Sequence, residues 1–556
     1  MLRSIGSVTV LALLMIGCGG GSSGGSGPPP SFAVSGVVSG LVGTGLVLRD
    51  NGGDALTVNA NGAFTFATKV TGGGAYAVTA TAPLGEACSV TNGSGTATAD
   101  VTSVTVSCGA VFSVGGSVSG LVGQGLVLEL SGPDIPEELA ISSNGQFSFP
   151  PTVNSGHRYG VGIKQQPHSP TQRCVVGRSS FVTGGFLSNG SDVTDVGVVC
   201  GEFAYVTSAA DDSVSAFSVD ASTGTLTSLG APVLAGHGPH AIANTMYTGS
   251  RYLYVVNGAS NDVSAFAADA SSGALVPVPG SPFTAGSSPS AAAIYAVINA
   301  GDYSPPPQRL MYYLYVANAG SNDVSAYRID RATGVPTPLS PVVYATGAGP
   351  SVVAIYYPGG HILQSRGGFL YVANSGGSSD ISAFSIDGMS GSLAPIAGSP
   401  FASGGNVRSL VFGADGKFLY AADASGGTAA IDGFSVDPST GALTSLGGLP
   451  LALPSCDYIV ADQTGAYLYA AAGASLFGYS IDRNTGALSP LLGFPVAISA
   501  SVTALSIDPT NQYLYAGDGG AGTVSGFALN AATGALTAIP GSPFVVGSST
   551  DFIATF

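Results

Sequence analysis

The chain of 556 residues contains no tryptophan, five histidines and five methionines, and only 8% of it is charged. An average soluble protein carries about 25% charged residues, so Ser, Thr, Asn and Gly must cover most of this surface. Lys and Arg number 15 against 31 Asp and Glu, a formal net charge of −16, and they form no basic run. Displacing counterions from phosphates needs clustered cations, which excludes nucleic acid as an expected partner. No glutamate follows Glu202, which leaves 354 residues with aspartate as their only acidic side chain. Apolar stripes at helical spacing are missing, as is any apolar run long enough to span a bilayer.

The composition is rich in turn formers and in apolar residues. There are 84 glycines and 34 prolines, and 45% of residues are hydrophobic. Gly and Pro punctuate short strands and are poorly tolerated in helices. The expectation is an all-β chain of two to four domains.

The opening "MLRSIGSVTVLALLMIGC" has one basic residue, a short apolar run and then Cys18, the pattern of a cleaved signal peptide over residues 1–18. Leu14-Met15-Ile16-Gly17-Cys18 resembles the lipobox of bacterial lipoproteins, with Met15 where Leu is usual. The resemblance implies acylation of Cys18, and more than one acyl chain anchors stably. Residues 19–31, including "GGGSSGGSGPPPS", cannot build a core and read as a flexible tether.

Two related units follow, 32–109 and 110–201. "FAVSGVVSGLVGTGLVLRDNGG" from Phe32 returns as "FSVGGSVSGLVGQGLVLELSGP" from Phe112. Both alternate apolar and polar residues between Gly/Asn turns, the mark of half-buried strands. Each ends in two cysteines, Cys88 and Cys108, then Cys174 and Cys200. Four cysteines allow three pairings; duplication of the unit favours one bond inside each copy. These units resemble small β-sandwich spacer repeats of bacterial envelope lipoproteins.

Residues 202–556 repeat a third phrase, best seen in "YLYVANAGSNDVSAYRIDRATG" (313–334). Its tyrosine recurs at positions 205, 254, 315, 371, 420, 469 and 515. A period of about 50 residues with short strands in each unit predicts a seven-bladed β-propeller. The first copy lacks the strand that precedes the others, and "DFIATF" at the C-terminus has that strand's pattern. The last strand is expected to complete the first blade.

"YVANAGSNDVSAY" and "TGAL" resemble the seven-bladed lactonase-like family, related to 6-phosphogluconolactonase and to YVTN repeats. Aligning the inner strands on their tyrosines places Arg408, Asp457 and Thr503 at one mouth of the central channel; matching the Pro-His and Pro-Ser pairs adds His240, Ser290 and Ser351, and the terminal strand adds Asp551. The ionisable members, His240, Arg408, Asp457 and Asp551, are the candidates for catalysis. The "GPHAIANTMYTGSRYLYV" segment resembles the family's Pro-His motif, with His240 at the motif histidine. The resemblance implies His and Arg acting with a Glu, and the propeller has no Glu after Glu202. Cys456, unpaired beside Asp457, reads as a buried thiol rather than a nucleophile. No metal site or cofactor is expected.

The resulting expectation is a lipid-anchored protein of the bacterial cell envelope, at the outer membrane or cell surface. Its propeller would act as a binding or scaffold module for an extracytoplasmic protein or glycan, with lactone hydrolysis at the channel mouth as the alternative. A quinone-dependent or sugar-oxidising propeller fits less well, because such sites want more His, Arg or Trp. Replacing the acylated residue, Cys18→Ser, should move the protein from the membrane fraction to the soluble one, as read by fractionation and immunoblotting.

Overall fold

The computed structural model describes residues 28–555 apart from 133–134, 151–152, 155–159, 170–171, 177–191, 246–250, 270–271, 299–309, 359–366, 414–415, 426–428 and 499–501. Cys18, the signal segment 1–18 and most of the tether lie outside the described residues. All regular elements among the described residues are strands. They form two compact units that divide between Val111 and Phe112.

In the first unit, strands Val34–Ser39, Gly62–Thr65, Glu86–Thr91 and Val101–Phe112 make one sheet. Leu46–Asp50, Asp54–Val58, Ala75–Thr81 and Ser94–Thr96 make another. Val34, Val104 and Val106 from the first sheet share a core with Leu46, Leu48 and Val78 from the second. The second unit begins with the duplicate, whose core joins Val114, Val196 and Val198 to Leu126, Leu128 and Val161.

The duplication extends to detail. Val42 and Gly43 donate their N–H groups to the Glu86 carboxylate, and Val122 and Gly123 donate theirs to Gln172 Oε1. Cys88 bonds to Cys108 and Cys174 to Cys200, one disulfide inside each repeat. The expected boundary at 109/110 falls within the strand Val101–Phe112, whose pairing with Glu86–Thr91 runs on through Gly109 and Ala110.

Beyond Glu202 the chain forms seven antiparallel sheets. Their inner strands pack side by side in a closed ring, Phe552–Thr555 lying between Val502–Ile507 and Pro239–Asn244. Six blades add to the four expected strands a short fifth one on the third strand, such as Phe401–Ala402 on Asp380–Ile386. The third blade instead has one continuous outer strand, Pro336–Ala345. The C-terminal strand pairs with Glu202–Ser208 in the register Thr207↔Phe552 to Ala204↔Thr555. Asp551 Oδ2 accepts the Ala209 N–H at 2.6 Å and secures the mouth end of that strand.

The recurring phrase has a physical cause. The seven repeat tyrosines are fully buried, and each donates its hydroxyl to a glycine carbonyl of the next blade at 2.6–2.8 Å. Tyr205 reaches Gly273, Tyr254 reaches Gly334, and so on to Tyr515, which reaches Gly224 of the first blade. Burial holds every one of these phenols above its ordinary pKa where a shift is resolved, so they stay donors.

The acceptor glycines close turns of the pattern Asp/Asn-x-x-Thr/Ser-Gly with φ of 69–75°, a region costly for other residues. A Cβ there would come within 2.2–2.7 Å of a neighbouring ring, that of the aromatic residue two positions before the tyrosine (Tyr513, Phe203, Tyr252, Tyr313, Phe369, Phe418 or Tyr467). The turn aspartates accept backbone and hydroxyl donors, which hold their carboxyls low, Asp437 down to about 2.

Tyr371→Phe removes one inter-blade bond and should cost about 1–2 kcal/mol. Gly441→Ala meets both the positive φ and the Phe369 ring and should cost more. Melting temperatures of the full-length variants test this order.

Candidate functional site

The site is built from bulges. In the second blade Pro239 pairs with Asn257 and Ala241 with Val256, which leaves His240 as an extra residue. The same slip occurs at Ser290, Ser351, Arg408 and Thr503. A bulge bends its strand and re-aims a side chain, here toward the channel. Asp457 and Asp551 stand just before their inner strands, tied by N–H bonds to Ala471 O (3.3 Å) and Thr207 O (3.0 Å).

Six of these seven residues line one cavity of about 640 Å³: His240, Ser290, Ser351, Arg408, Thr503 and Asp551. Asp457 is not in its lining but pairs with Arg408, Nη1 to Oδ1 at 3.7 Å, with both side chains partly open to solvent. Such a pair is loose enough to rearrange around a ligand. His240 and Arg408 stand on the second and fifth blades, across the channel from each other, with acidic groups on the first and sixth.

Three of the polar residues have structural partners. Ser290 Oγ donates to Pro350 O at 2.6 Å, Ser351 Oγ to Val407 O at 2.7 Å, and Thr503 Oγ1 to Thr550 O. Each acceptor lies on the next blade, so these hydroxyls staple the inner strands together. Asp551 is partly committed as well, since Oδ2 also accepts from Ser549 Oγ at 2.8 Å.

His240 remains exposed, and among the described residues its ring has no hydrogen bond to an aspartate or to Arg408. Its imidazole lies over Gly258, where a Cβ would come within 2.5 Å of Cδ2. Gly258 therefore makes room for the ring.

Sequence reasoning missed Tyr458, which follows Asp457 and also lines the cavity. Burial raises its phenol pKa against the opposing pull of Arg408, so it stays a protonated hydroxyl in the site. It also missed His237, whose Nδ1 lies 2.7 Å from Asp212 Oδ2 on the first blade. The available signal for Tyr458 was its adjacency to an aligned position; for His237 there was none.

Cys456 is fully buried, and burial beside Asp457, Asp423 and Asp432 pushes its thiol up to about 12. A thiol so protonated is no nucleophile at neutral pH. Among the described residues no group of three or more His, Cys, Asp or Glu side chains is arranged to hold a metal ion.

Comparison with solved structures finds the same propeller elsewhere. A 6-phosphogluconolactonase candidate from Bacteroides fragilis matches with a TM-score of 0.50 at 19% identity, covering 64% of this chain and 98% of its own. One from Bacteroides uniformis matches at 0.51 and 17% identity, covering 64% and 99%. The periplasmic gluconolactonase PpgL of Pseudomonas aeruginosa matches at 0.51 and 16%, again covering 64% and 99%. At such identities the likeness is one of fold. No curated protein matches the chain. The family model described as "Lactonase, 7-bladed beta-propeller" matches residues 185–289, 313–456 and 425–539, more than half of the sequence, and the chain belongs to that family.

Proposed function

We propose that the propeller mouth binds a small, hydroxyl-rich ligand carrying one carboxylate, in a protein held at the outer face of a bacterial membrane. The observation that carries the reading is the composition of the cavity after its structural bonds are assigned. Ser290, Ser351 and Thr503 are occupied between blades, which leaves Arg408, His240 and Tyr458, beside the partly committed Asp551 and the rim residue Ser288, as the polar groups able to meet a ligand. Arg408 can exchange its loose partner Asp457 for a ligand carboxylate with two parallel hydrogen bonds. His240 and Tyr458 can meet hydroxyls. A single arginine in the cavity lining, on a chain of net charge −16, suits a monoanion better than a phosphorylated ligand.

The N-terminal part supports an anchored, extracytoplasmic setting. Two disulfides fit an oxidising compartment. No helix among the described residues is long and apolar enough to cross a membrane. Acylation at Cys18, followed by the tether and two spacer repeats of β-sandwich type, would hold the propeller away from the bilayer.

Family membership supports a second reading, hydrolysis of a lactone at the same mouth. His240 would take a proton from water as its oxygen attacks the lactone carbonyl. The ring C–O bond would break, the leaving alkoxide would recover the proton from His240, the new carboxylic acid would release its proton to solvent, and Arg408 would hold the resulting carboxylate. A base of this kind works best beside a charge that tunes it, and His240 has no carboxylate hydrogen-bonded to it among the described residues. Binding is therefore the first choice.

Calorimetry with gluconate separates the contributions. Arg408→Ala should weaken binding about tenfold to a hundredfold, while Ser351→Ala should leave it intact and lower the melting temperature. Hydrolysis of 6-phosphogluconolactone should not exceed the spontaneous rate. Turnover that disappears in His240→Ala would establish the second reading instead.

A further inference from the structure

The ring closes between the seventh blade and the first, and that seam differs from its neighbour in one chemical respect. At the seam between the sixth and seventh blades, buried Asp462 of one turn receives the amide of Asn511, Nδ2 to Oδ2 at 3.2 Å. Gln463 N–H completes the contact on Asn511 Oδ1 at 2.9 Å. Asp508 occupies the same place in the seventh blade. The first blade has no corresponding turn, because its inner strand comes from the C-terminus and its second strand starts at Glu202. A carboxyl, Glu202, stands where the other seam has an amide.

Both acids are buried, Glu202 to 2% exposure and Asp508 to 0%. Asp508 is fully supplied with donors. Oδ1 accepts Gln512 N–H at 2.8 Å and Tyr513 N–H at 2.5 Å. Oδ2 accepts Thr510 N–H at 2.8 Å and the Thr510 hydroxyl. Neither oxygen of Glu202 has a partner. As a carboxylate it would be an unsatisfied buried anion beside another, the costliest arrangement available. As a neutral acid it carries no charge to repel Asp508, and its burial costs far less.

We propose that the closing seam is a proton-held latch, in which Glu202 closes the ring as a neutral, buried acid beside Asp508 and loosens it when that proton is lost. The groups that face Glu202 are Asp508 and Thr510 from the seventh blade and Arg173 from the second repeat. Asp220, which follows the paired strand of the first blade, acts with both acids on Tyr513 and Tyr515. Arg173 and the Thr510 hydroxyl favour the charged form, and burial together with the Asp508 charge outweighs them: the carboxyl is raised from 4.5 to about 8. The sign follows. Between these values the folded chain holds a proton that the unfolded chain has released, so stability falls as pH rises through that window and is fully present below it.

The test is the melting temperature of the full chain from pH 5 to pH 9, with Glu202→Gln, which keeps a donor and cannot ionise, and Asp508→Asn, which removes the neighbouring charge. The wild type should lose about 5 °C or more across the window, and both variants should lose much less. Wild type and Glu202→Gln declining in parallel would overturn the latch. Infrared spectra in heavy water keep the test decisive if a variant fails to fold. The wild type should show a protonated carboxyl band at pH 7 that disappears with a midpoint near 8, and the absence of such a band would overturn the proposal.

Discussion

The propeller depends on one contact made seven times, a buried tyrosine hydroxyl donating to the glycine carbonyl of the next blade. Each contact settles three things at once. It satisfies a phenol that burial would otherwise leave without a partner, it fixes the lateral distance between sheets, and it requires a residue without a side chain at the acceptor. The bond from Tyr515 to Gly224 spans 291 positions and is as short as the bonds between consecutive blades. The ring is therefore closed by the chemistry that builds it, and the C-terminal strand supplies the missing inner edge.

That arrangement explains how a channel mouth can vary while the fold stays constant. Packing between blades joins rings and aliphatic side chains along the sheets, the inner strands beyond their bulges included. The bulge at the start of the inner strand lies before that packed stretch, and its side chain is released from the packing pattern. Three blades use the released position for a serine or threonine that bonds its neighbour's backbone. The second and fifth use it for His240 and Arg408, whose side chains have no comparable structural bond. The site is thus an exception to a structural habit, and the exceptions are the residues able to take part in recognition.

Repetition made the fold readable. The tyrosines, the Asp/Asn-x-x-Thr/Ser-Gly turns and the orphan strand "DFIATF" each follow from local pattern, and the copies reinforce one another. The cysteine pairs were readable for the same reason, since duplication removes two of three pairings. The site was only half readable. Alignment could say that Ser290, Ser351 and Thr503 are polar and occupy one ring, but a hydroxyl looks the same in sequence whether it meets a ligand or a carbonyl of the next blade. Tyr458 was hidden because tyrosine is the commonest large residue of the blades and raises no suspicion. Glu202 and Asp508 lie 306 positions apart and are joined only by closure, so no spacing could signal their contact.

The closing seam also bears on how much charge this chain can tolerate. With 8% charged residues, nearly every carboxylate in the propeller has an assigned donor set: turn N–H groups for Asp220, Asp330, Asp387, Asp437 and Asp482, and backbone plus hydroxyl for Asp508. Glu202 breaks this rule, and it does so at the seam where the propeller's first and last blades meet. An amide there would reproduce the neighbouring seam without any dependence on pH. A carboxyl in that place costs stability in alkaline conditions and returns it in acid, so the geometry converts the acidity of the surroundings into the tightness of the ring. Because the inner strand of the first blade begins at the mouth with Asp551 and runs toward that seam, loosening at one end would reach the cavity along a single strand of four residues.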